Sequence, residues 1–96
     1  MEQILWAKNM KGVIRLGDST SHGGKVVAAS GRAFVNGIPV ARQGDACTCP
    51  IKGHSNCVIA QGDPLVLEGG KPVAFEGHKT SCGASLISSV LTSGKV

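Results

Sequence analysis

One short sequence unit occurs three times along the chain, and this internal repetition constrains the fold more than any other feature. Residues 36–41 (NGIPVA) recur as residues 69–74 (GGKPVA). Residues 17–23 (GDSTSHG) align with residues 77–83 (GHKTSCG), and residues 44–49 (GDACTC) form a middle copy. Three copies, the last of them cut short, are too few for a long solenoid. We therefore expect the units to close around an axis with approximate threefold symmetry.

Each unit has the pattern of two short strands joined by a tight turn. Asn36 and Gly37 lie between apolar runs, which is a strong signal for a two-residue hairpin because both central positions need positive φ. Residues 69–70 (GG) fill the same place in the next copy. Pro39 and Pro72 fit edge strands, where no backbone donor is needed. The sequence thus predicts an all-β fold, a small pseudo-threefold arrangement of short β-hairpins.

The composition limits what such a chain can build. Its 96 residues are enough for one domain, and only 3% of them are aromatic, whereas 14 are glycine. Chains of this size often need a metal, a disulfide or a partner to be stable. Only residues 2–11 and 85–91 have patterns that allow a helix. No apolar run approaches the roughly 18 residues of a membrane helix, and no signal peptide is recognisable, so we expect no stable membrane anchor.

The charge and the cysteines narrow the function further. The net charge is +4, but the ten basic residues are spread evenly and few aromatics are available for base stacking, so we expect no nucleic-acid partner. A mildly basic surface suits an acidic partner. In a reducing cytosol, the four cysteines indicate metal binding or free thiols before disulfides.

The histidines and one cysteine predict a metal site. His22 and Cys82 occupy the same position in two copies of the unit, and both residue types bind zinc. His78 lies close before Cys82, and His54 lies in a loop unique to the middle copy. Zinc takes four tetrahedral nitrogen and sulfur ligands in a closed structural site. We predict one structural Zn²⁺ held by His22, His54, His78 and Cys82.

The other three cysteines leave alternatives open. Cys49 aligns with His22 and Cys82, so it rivals His54 as the ligand from the middle copy, or replaces Cys82. Cys57 is interpreted as a core residue, since apolar residues follow it. Cys47 has no assigned role, and its one-residue separation from Cys49 is not the two-residue spacing of zinc ribbons or redox motifs.

Catalytic arrangements are missing from the sequence. No acidic residue flanks the expected ligands as in a metalloprotease or deaminase. Leu65 and Pro72 stand where a phosphate-binding loop needs glycine and Ser or Thr. A Cys82 nucleophile with His78 would lack an orienting third group. We expect no enzymatic activity, and a small hydrolase with an open zinc site is the weakest alternative.

The combined motifs resemble the PAAR-repeat family over about residues 14–90. The resemblance rests on residues 16–24 (LGDSTSHGG), residues 80–83 (TSCG) and the middle copy at residues 44–54. The Pro-Ala-Ala-Arg motif that names the family corresponds here to residues 39–42 (PVAR), whereas residues 72–75 (PVAF) have lost the arginine.

The resemblance implies a small conical β protein with a metal-stabilised apex. Such a protein caps the trimeric β-helix of VgrG, the spike protein of type VI secretion, with one chain per trimer, and sharpens it for membrane puncture. The family's zinc is bound by three histidines and one cysteine, roles that fall on His22, His54, His78 and Cys82.

The resemblance also implies an organisation and a location. We expect residues 1–13 to be an N-terminal segment and residues 14–96 to be a single PAAR-repeat domain, with tails too short for a catalytic domain. The protein would reside in the bacterial cytoplasm and then be delivered outside the cell or into target cells. The alternative function is an adaptor that recruits toxic effector proteins non-covalently, with Trp6 as the natural contact.

Overall fold

The computed structural model describes residues 12–51 and 56–89, and these residues form short antiparallel strands. The strands pair as β1 with β6, β2 with β3 and β4 with β5. No described residue lies in a helix, so none belongs to a helix that could span a membrane. The predicted all-β fold of short hairpins is confirmed. The strands are β1 (Ser19–Thr20), β2 (Phe34–Val35), β3 (Ile38–Pro39), β4 (Asp63–Glu68), β5 (Lys71–Val73) and β6 (Leu86–Ile87).

The helix allowed for residues 85–91 is wrong where the structure describes that segment. Leu86–Ile87 is a strand that pairs with Ser19–Thr20, and Leu86 is buried in the core. Pairing with a segment far away in sequence overrides the local pattern, as is common for short strands. The other helical pattern, at residues 2–11, lies outside the described residues.

The two predicted hairpin turns are confirmed. Asn36 and Gly37 have φ of 54° and 81°, and Gly69 and Gly70 have φ of 62° and 86°. These left-handed conformations match the twist of the flanking strands and favour Gly or Asn. The turns join β2 to β3 and β4 to β5.

A closed ring of backbone hydrogen bonds lies at the centre of the molecule. The Ile14 N–H donates to the Ala74 carbonyl (2.9 Å), Ala41 donates to Ile14 (2.8 Å) and Ala74 donates to Ala41 (3.1 Å). All three residues are completely buried. Each copy of the unit thus donates to one neighbour and accepts from the other, so the three copies close around an approximate threefold axis, as the repeats predict.

The same cyclic order is repeated above and below this ring. On each side of the ring, three equivalent residue pairs join each copy of the unit to the next copy. On one side the antiparallel pairs are Arg15 with Val40, Arg42 with Val73, and Phe75 with Val13. On the other side they are Thr20 with Leu86, Val26 with Cys47, and Ile59 with Thr80.

Two apolar clusters follow one another along the approximate threefold axis, and their order distinguishes the two ends of the molecule. The cluster next to the hairpins is formed by Val13, Val40, Val66, Val73 and Phe75, with Ala33 and Val35 packed against it. The second cluster lies farther from the hairpins and is formed by Ile14, Val26, Ala41, Ile59, Ala74 and Leu86. The loops carrying the aligned His and Cys residues follow this second cluster, so they lie at the opposite end from the hairpins. Because Val13 is fully buried, the packed body includes it, and the division at residues 13 and 14 stays a prediction.

Two arginines, Arg15 buried and Arg42 half-buried, hold the hairpins against the body of the protein. The Arg15 Nη1 donates to the carbonyl of Val35 (2.8 Å), and the Arg42 Nη1 donates to that of Glu68 (2.6 Å). Val35 and Glu68 are the residues directly before the two turns, so the contacts are equivalent. The third copy has Phe75 in place of arginine, and no third hairpin follows it in the described chain.

Asp45 stabilises the turn behind Arg42, and replacing it is expected to be costly. Its carboxylate accepts from the backbone N–H groups of Arg42 (2.8 Å) and Ser30 (3.0 Å) and from the Ser30 hydroxyl (2.6 Å). We expect Asp45→Ala to lower the free energy of unfolding by roughly 2–4 kcal/mol, because three donors lose their acceptor. Urea unfolding measures the change. Glu76→Ala, which removes one exposed, long hydrogen bond (3.3 Å), is the control and should cost less than about 0.5 kcal/mol. Equal losses in both variants would contradict this role.

Candidate metal centre

Two short loops present His22 and Cys82 in the same way. In the first loop the Thr20 N–H donates to the Gly24 carbonyl (2.9 Å), and the Thr20 Oγ1 accepts from the Gly24 N–H (3.1 Å). In the second loop Thr80 and Ala84 make the same pair of bonds, at 2.8 and 3.1 Å. Each loop closes on itself through its threonine, and the residue two positions after the threonine is half-buried in both loops. The equivalence predicted from the repeat alignment is confirmed.

The middle copy contributes Cys49, and a glycine allows it to approach. A Cβ placed on Gly24 would lie only 1.9 Å from the carbonyl oxygen of Thr48, so the two backbones touch at this point. The neighbouring Lys25 N–H donates to the Thr48 Oγ1 (2.9 Å), and the Thr48 N–H donates to the Lys25 carbonyl (2.8 Å). This contact brings Cys49 beside His22.

His22, Cys49 and Cys82 form a cluster whose dimensions suit a tetrahedral metal. The His22 Nδ1 lies 3.4 Å from the Cys49 Sγ and 4.0 Å from the Cys82 Sγ, and all the ligand atoms lie within 4.8 Å of one another. A tetrahedral zinc with Zn–N of about 2.0 Å and Zn–S of about 2.3 Å separates N from S by about 3.5 Å. All three side chains are half-buried. The residues present therefore fit a divalent zinc-like ion.

The local hydrogen bonds hold Cys82 as a thiolate, the form that binds metals. The Thr80 hydroxyl, 3.2 Å from the Cys82 Sγ, lowers the pKa of that thiol most, and hydrogen bonds from Cys57 and Cys49 lower it further against the opposing effect of burial. Together they bring the pKa of Cys82 to about 5. These bonds therefore favour the ionised form of the Cys82 sulfur, which lies 4.0 Å from the His22 Nδ1.

The remaining two cysteines are buried below the cluster and stay protonated. Burial, followed by the nearby sulfurs of Cys82 and Cys49, raises the pKa of Cys47 to about 11. The hydrogen bond to Cys82, followed by burial, raises the pKa of Cys57 to about 12. Cys57 is 3% exposed, which agrees with its interpretation as a core residue.

His78 lies in a turn, where its ring accepts a backbone hydrogen bond. The Phe75 N–H donates to the His78 Nδ1 (2.9 Å), just as the Arg15 N–H donates to Asp18 and the Arg42 N–H donates to Asp45 (both 2.8 Å). The ring also packs edge-on against Phe75, with centroids 6.4 Å apart. Within the described residues the ligand cluster does not include His78. The sequence contains a signal for this turn position of His78, because residues 77–78 (GH) align with the Gly-Asp pairs at residues 17–18 and 44–45.

The predicted ligands therefore have different outcomes. His22 and Cys82 come together, and Cys49, the alternative from the middle copy, joins them. His54 lies outside the described residues, so its role as a ligand stays a prediction, as does that of His78. Trp6, the expected effector contact, also lies outside the described residues.

The opposite end of the molecule carries exposed apolar side chains. Phe34 on β2 is 62% exposed, and Leu65 and Leu67 on β4 are 79% and 58% exposed. Val66 between the two leucines is 5% exposed and packs into the core. Alternation along β4 thus buries one face and leaves the other apolar face open. Exposed apolar patches of this kind mark interaction sites.

Comparison with known proteins agrees with the motifs. A family model described as the PAAR motif matches residues 16–88, which is more than half of the chain. The match spans His22, Cys49 and Cys82 and both hairpins. A comparison with curated proteins gives no match.

Proposed function

The chain belongs to the PAAR-motif family, and on this premise we propose that it is the structural tip of a type VI secretion spike. In this role one chain is seated on the end of the trimeric VgrG β-helix. The observation that carries the proposal is the closed hydrogen-bonded ring of Ile14, Ala41 and Ala74. A monomer whose three copies close around an approximate threefold axis shares the symmetry of a threefold partner.

The hairpin end is the proposed contact with the spike. Phe34, Leu65 and Leu67 supply exposed apolar area there, and the short hairpins have free strand edges. Strand edges and apolar patches left open on a soluble protein favour aggregation, and a partner that covers them removes that hazard. The ends of a β-helix offer strand edges of the same kind.

At the other end we propose one structural Zn²⁺ bound by His22, Cys49 and Cys82, with His54 as the predicted fourth ligand. Each of the three ligands in the cluster comes from a different copy of the unit, so the ion would link all three copies. The pointed end has too few residues for an apolar core, and a bound zinc stabilises such small structures. A closed site has no open position for substrate, so we propose a non-enzymatic role. The proposed location is the cytoplasm before firing and the target cell or medium afterwards.

Binding to the spike gives the test of this function. We expect Leu65→Asp to weaken binding to the cognate VgrG trimer by at least tenfold, because a charge would be buried in an apolar contact. Binding is measured by titrating labelled chain with the purified trimer, and the stoichiometry should be one chain per trimer. Ile87→Asp is the matched control, since Ile87 is 45% exposed but lies on β6, away from the hairpins.

The outcomes separate clearly. Selective loss in Leu65→Asp supports the hairpin end as the contact. Equal weakening in both variants would place the contact elsewhere. A wild-type chain that does not bind any VgrG trimer would refute the proposed function itself.

A further inference from the structure

We propose that Cys49 and Cys82 form an oxidation site, at which a peroxide converts the two ligand sulfurs into a disulfide and so ends metal binding. The inference rests on the proposed metal site and on the proposed route of secretion, and it adds a way in which the ion is released. The ligand set predicted from the sequence contains a single sulfur, and such a set cannot form an internal disulfide. Cys49 brings the second sulfur into the cluster.

The two sulfurs already lie near each other. The Cys49 Sγ and the Cys82 Sγ are within 4.8 Å of one another, and the His22 Nδ1 lies 3.4 Å from the first and 4.0 Å from the second. A disulfide needs about 2.05 Å between the sulfurs, so the two side chains must still approach. Neither cysteine lies in a strand: Cys49 is in irregular chain and Cys82 is in a turn. The approach therefore requires movement of loops, and no paired strand has to separate.

Burial separates these two cysteines from the other two. Cys49 and Cys82 are half-buried, so a small oxidant in solvent can reach their sulfurs. Cys47 and Cys57 are only 6% and 3% exposed. Oxidation of cysteine follows thiolate character and exposure, and a thiol that coordinates a metal is deprotonated. Exposure and coordination therefore both select Cys49 and Cys82.

The reaction consumes one hydrogen peroxide molecule for each disulfide. The first thiolate attacks the O–O bond, becomes a sulfenic acid and releases hydroxide. The second thiolate attacks the sulfenic sulfur, the S–S bond forms, and a second hydroxide leaves. Each hydroxide takes a proton from solvent, so the two sulfurs are oxidised and the peroxide is reduced to two waters. Because the thiolate is the form that binds metals, two of the three ligands in the cluster are lost.

The proposed route of the protein provides both redox conditions. Thiols stay reduced in the cytoplasm, where the ion is bound, whereas disulfides persist outside the cell and in the bacterial periplasm. Delivery moves the protein from the first condition to the second. Since Cys49 belongs to the middle copy and Cys82 to the third, the disulfide keeps these two copies linked after the ion has left.

Titration of the purified, zinc-loaded protein with hydrogen peroxide tests the proposal. Zinc release is followed with a chromophoric chelator, and free thiols are counted after denaturation. Mass spectrometry of peptides identifies which cysteines are joined. Two variants serve as controls: Cys49→His keeps a nitrogen ligand but removes the second sulfur, and Cys47→Ala removes a buried sulfur outside the cluster.

We expect the wild-type protein to release its zinc while the number of free thiols falls from four to two, with Cys49 joined to Cys82. Reduction with a dithiol and addition of zinc should restore the loaded protein. Cys47→Ala should release zinc within about threefold of the wild-type rate, because its sulfur is shielded from the oxidant. Cys49→His should release zinc at least about tenfold more slowly and form no disulfide.

Three results in the wild-type protein would overturn the proposal: zinc retained with all thiols free, a disulfide that includes Cys47 or Cys57, or sulfinic acid in place of a disulfide. Release from Cys49→His as fast as from the wild type would also overturn it. If Cys49→His does not fold or bind zinc, the peptide linkage in the wild-type protein decides. Wild-type protein that contains no metal would refute the metal site itself. Oxidation as predicted in a chain that binds no VgrG trimer would refute only the proposed spike function.

Discussion

Replacing any one of His22, Cys49 and Cys82 by alanine is expected to abolish stable zinc binding and to cause a large loss of thermal stability. The three ligand atoms lie within 4.8 Å of one another, so a single ion would join all three copies of the unit. Structural zinc contributes apparent binding energies of roughly 10–16 kcal/mol in small domains. In a chain of this size each kcal/mol lost lowers Tm by about 4–8 °C, so we expect Tm to fall by at least about 10 °C. Elemental analysis and thermal unfolding measure both effects.

His78→Asp is the matched control for these variants. Aspartate stands at the equivalent position in the other two copies, where it accepts the same backbone hydrogen bond that His78 accepts from Phe75. We expect His78→Asp to keep its metal and to change the free energy of unfolding by less than about 1 kcal/mol. Loss of zinc in His78→Asp would show that His78 is a ligand and that the cluster of three does not define the site.

Gly24→Ala is expected to be the most damaging single-methyl substitution near the metal site. The added Cβ would lie 1.9 Å from the Thr48 carbonyl oxygen and 2.7 Å from its carbon, which are backbone atoms that no side-chain rotation can move away. The first and middle copies would have to separate, and Cys49 would leave His22. We expect a loss of about 3 kcal/mol or more in the free energy of unfolding, together with weaker zinc binding.

Gly83→Ala separates this steric effect from backbone strain. Gly83 directly follows Cys82 and has φ of +89°, but a Cβ there would meet no atom within 4 Å. The expected cost is about 1–2 kcal/mol from the left-handed conformation alone, with zinc retained. Urea unfolding and metal content measured on both variants test the distinction. If Gly24→Ala costs no more than Gly83→Ala, the close approach of the two copies does not support the site.

Most of the fold follows from the sequence because the repeats encode it locally. Asn36 and Gly37 specify one hairpin through their left-handed φ, and residues 69–70 specify the other. The alignment of His22, Cys49 and Cys82 is equally local, since each stands at one fixed place in its own copy. Symmetry then carries the three equivalent positions to one end of the axis.

What the sequence did not predict depends on contacts between distant segments. His78 has the residue type of a metal ligand, but its ring accepts a hydrogen bond from the Phe75 N–H. In the other two copies an aspartate accepts the equivalent backbone hydrogen bond. Leu86 belongs to a strand because Thr20, far away in the chain, pairs with it.

The most direct test of the account is zinc X-ray absorption on purified wild-type protein, with the metal content measured on the same sample. We predict about one zinc per chain, with two sulfur neighbours at about 2.3 Å and the remaining ligands nitrogen at about 2.0–2.1 Å. Two sulfurs would identify Cys49 and Cys82 as ligands beside His22. A stably folded protein that contains no metal, or a zinc with no sulfur neighbour, would contradict the central claim that the three copies are joined at this end by a thiolate-bound ion.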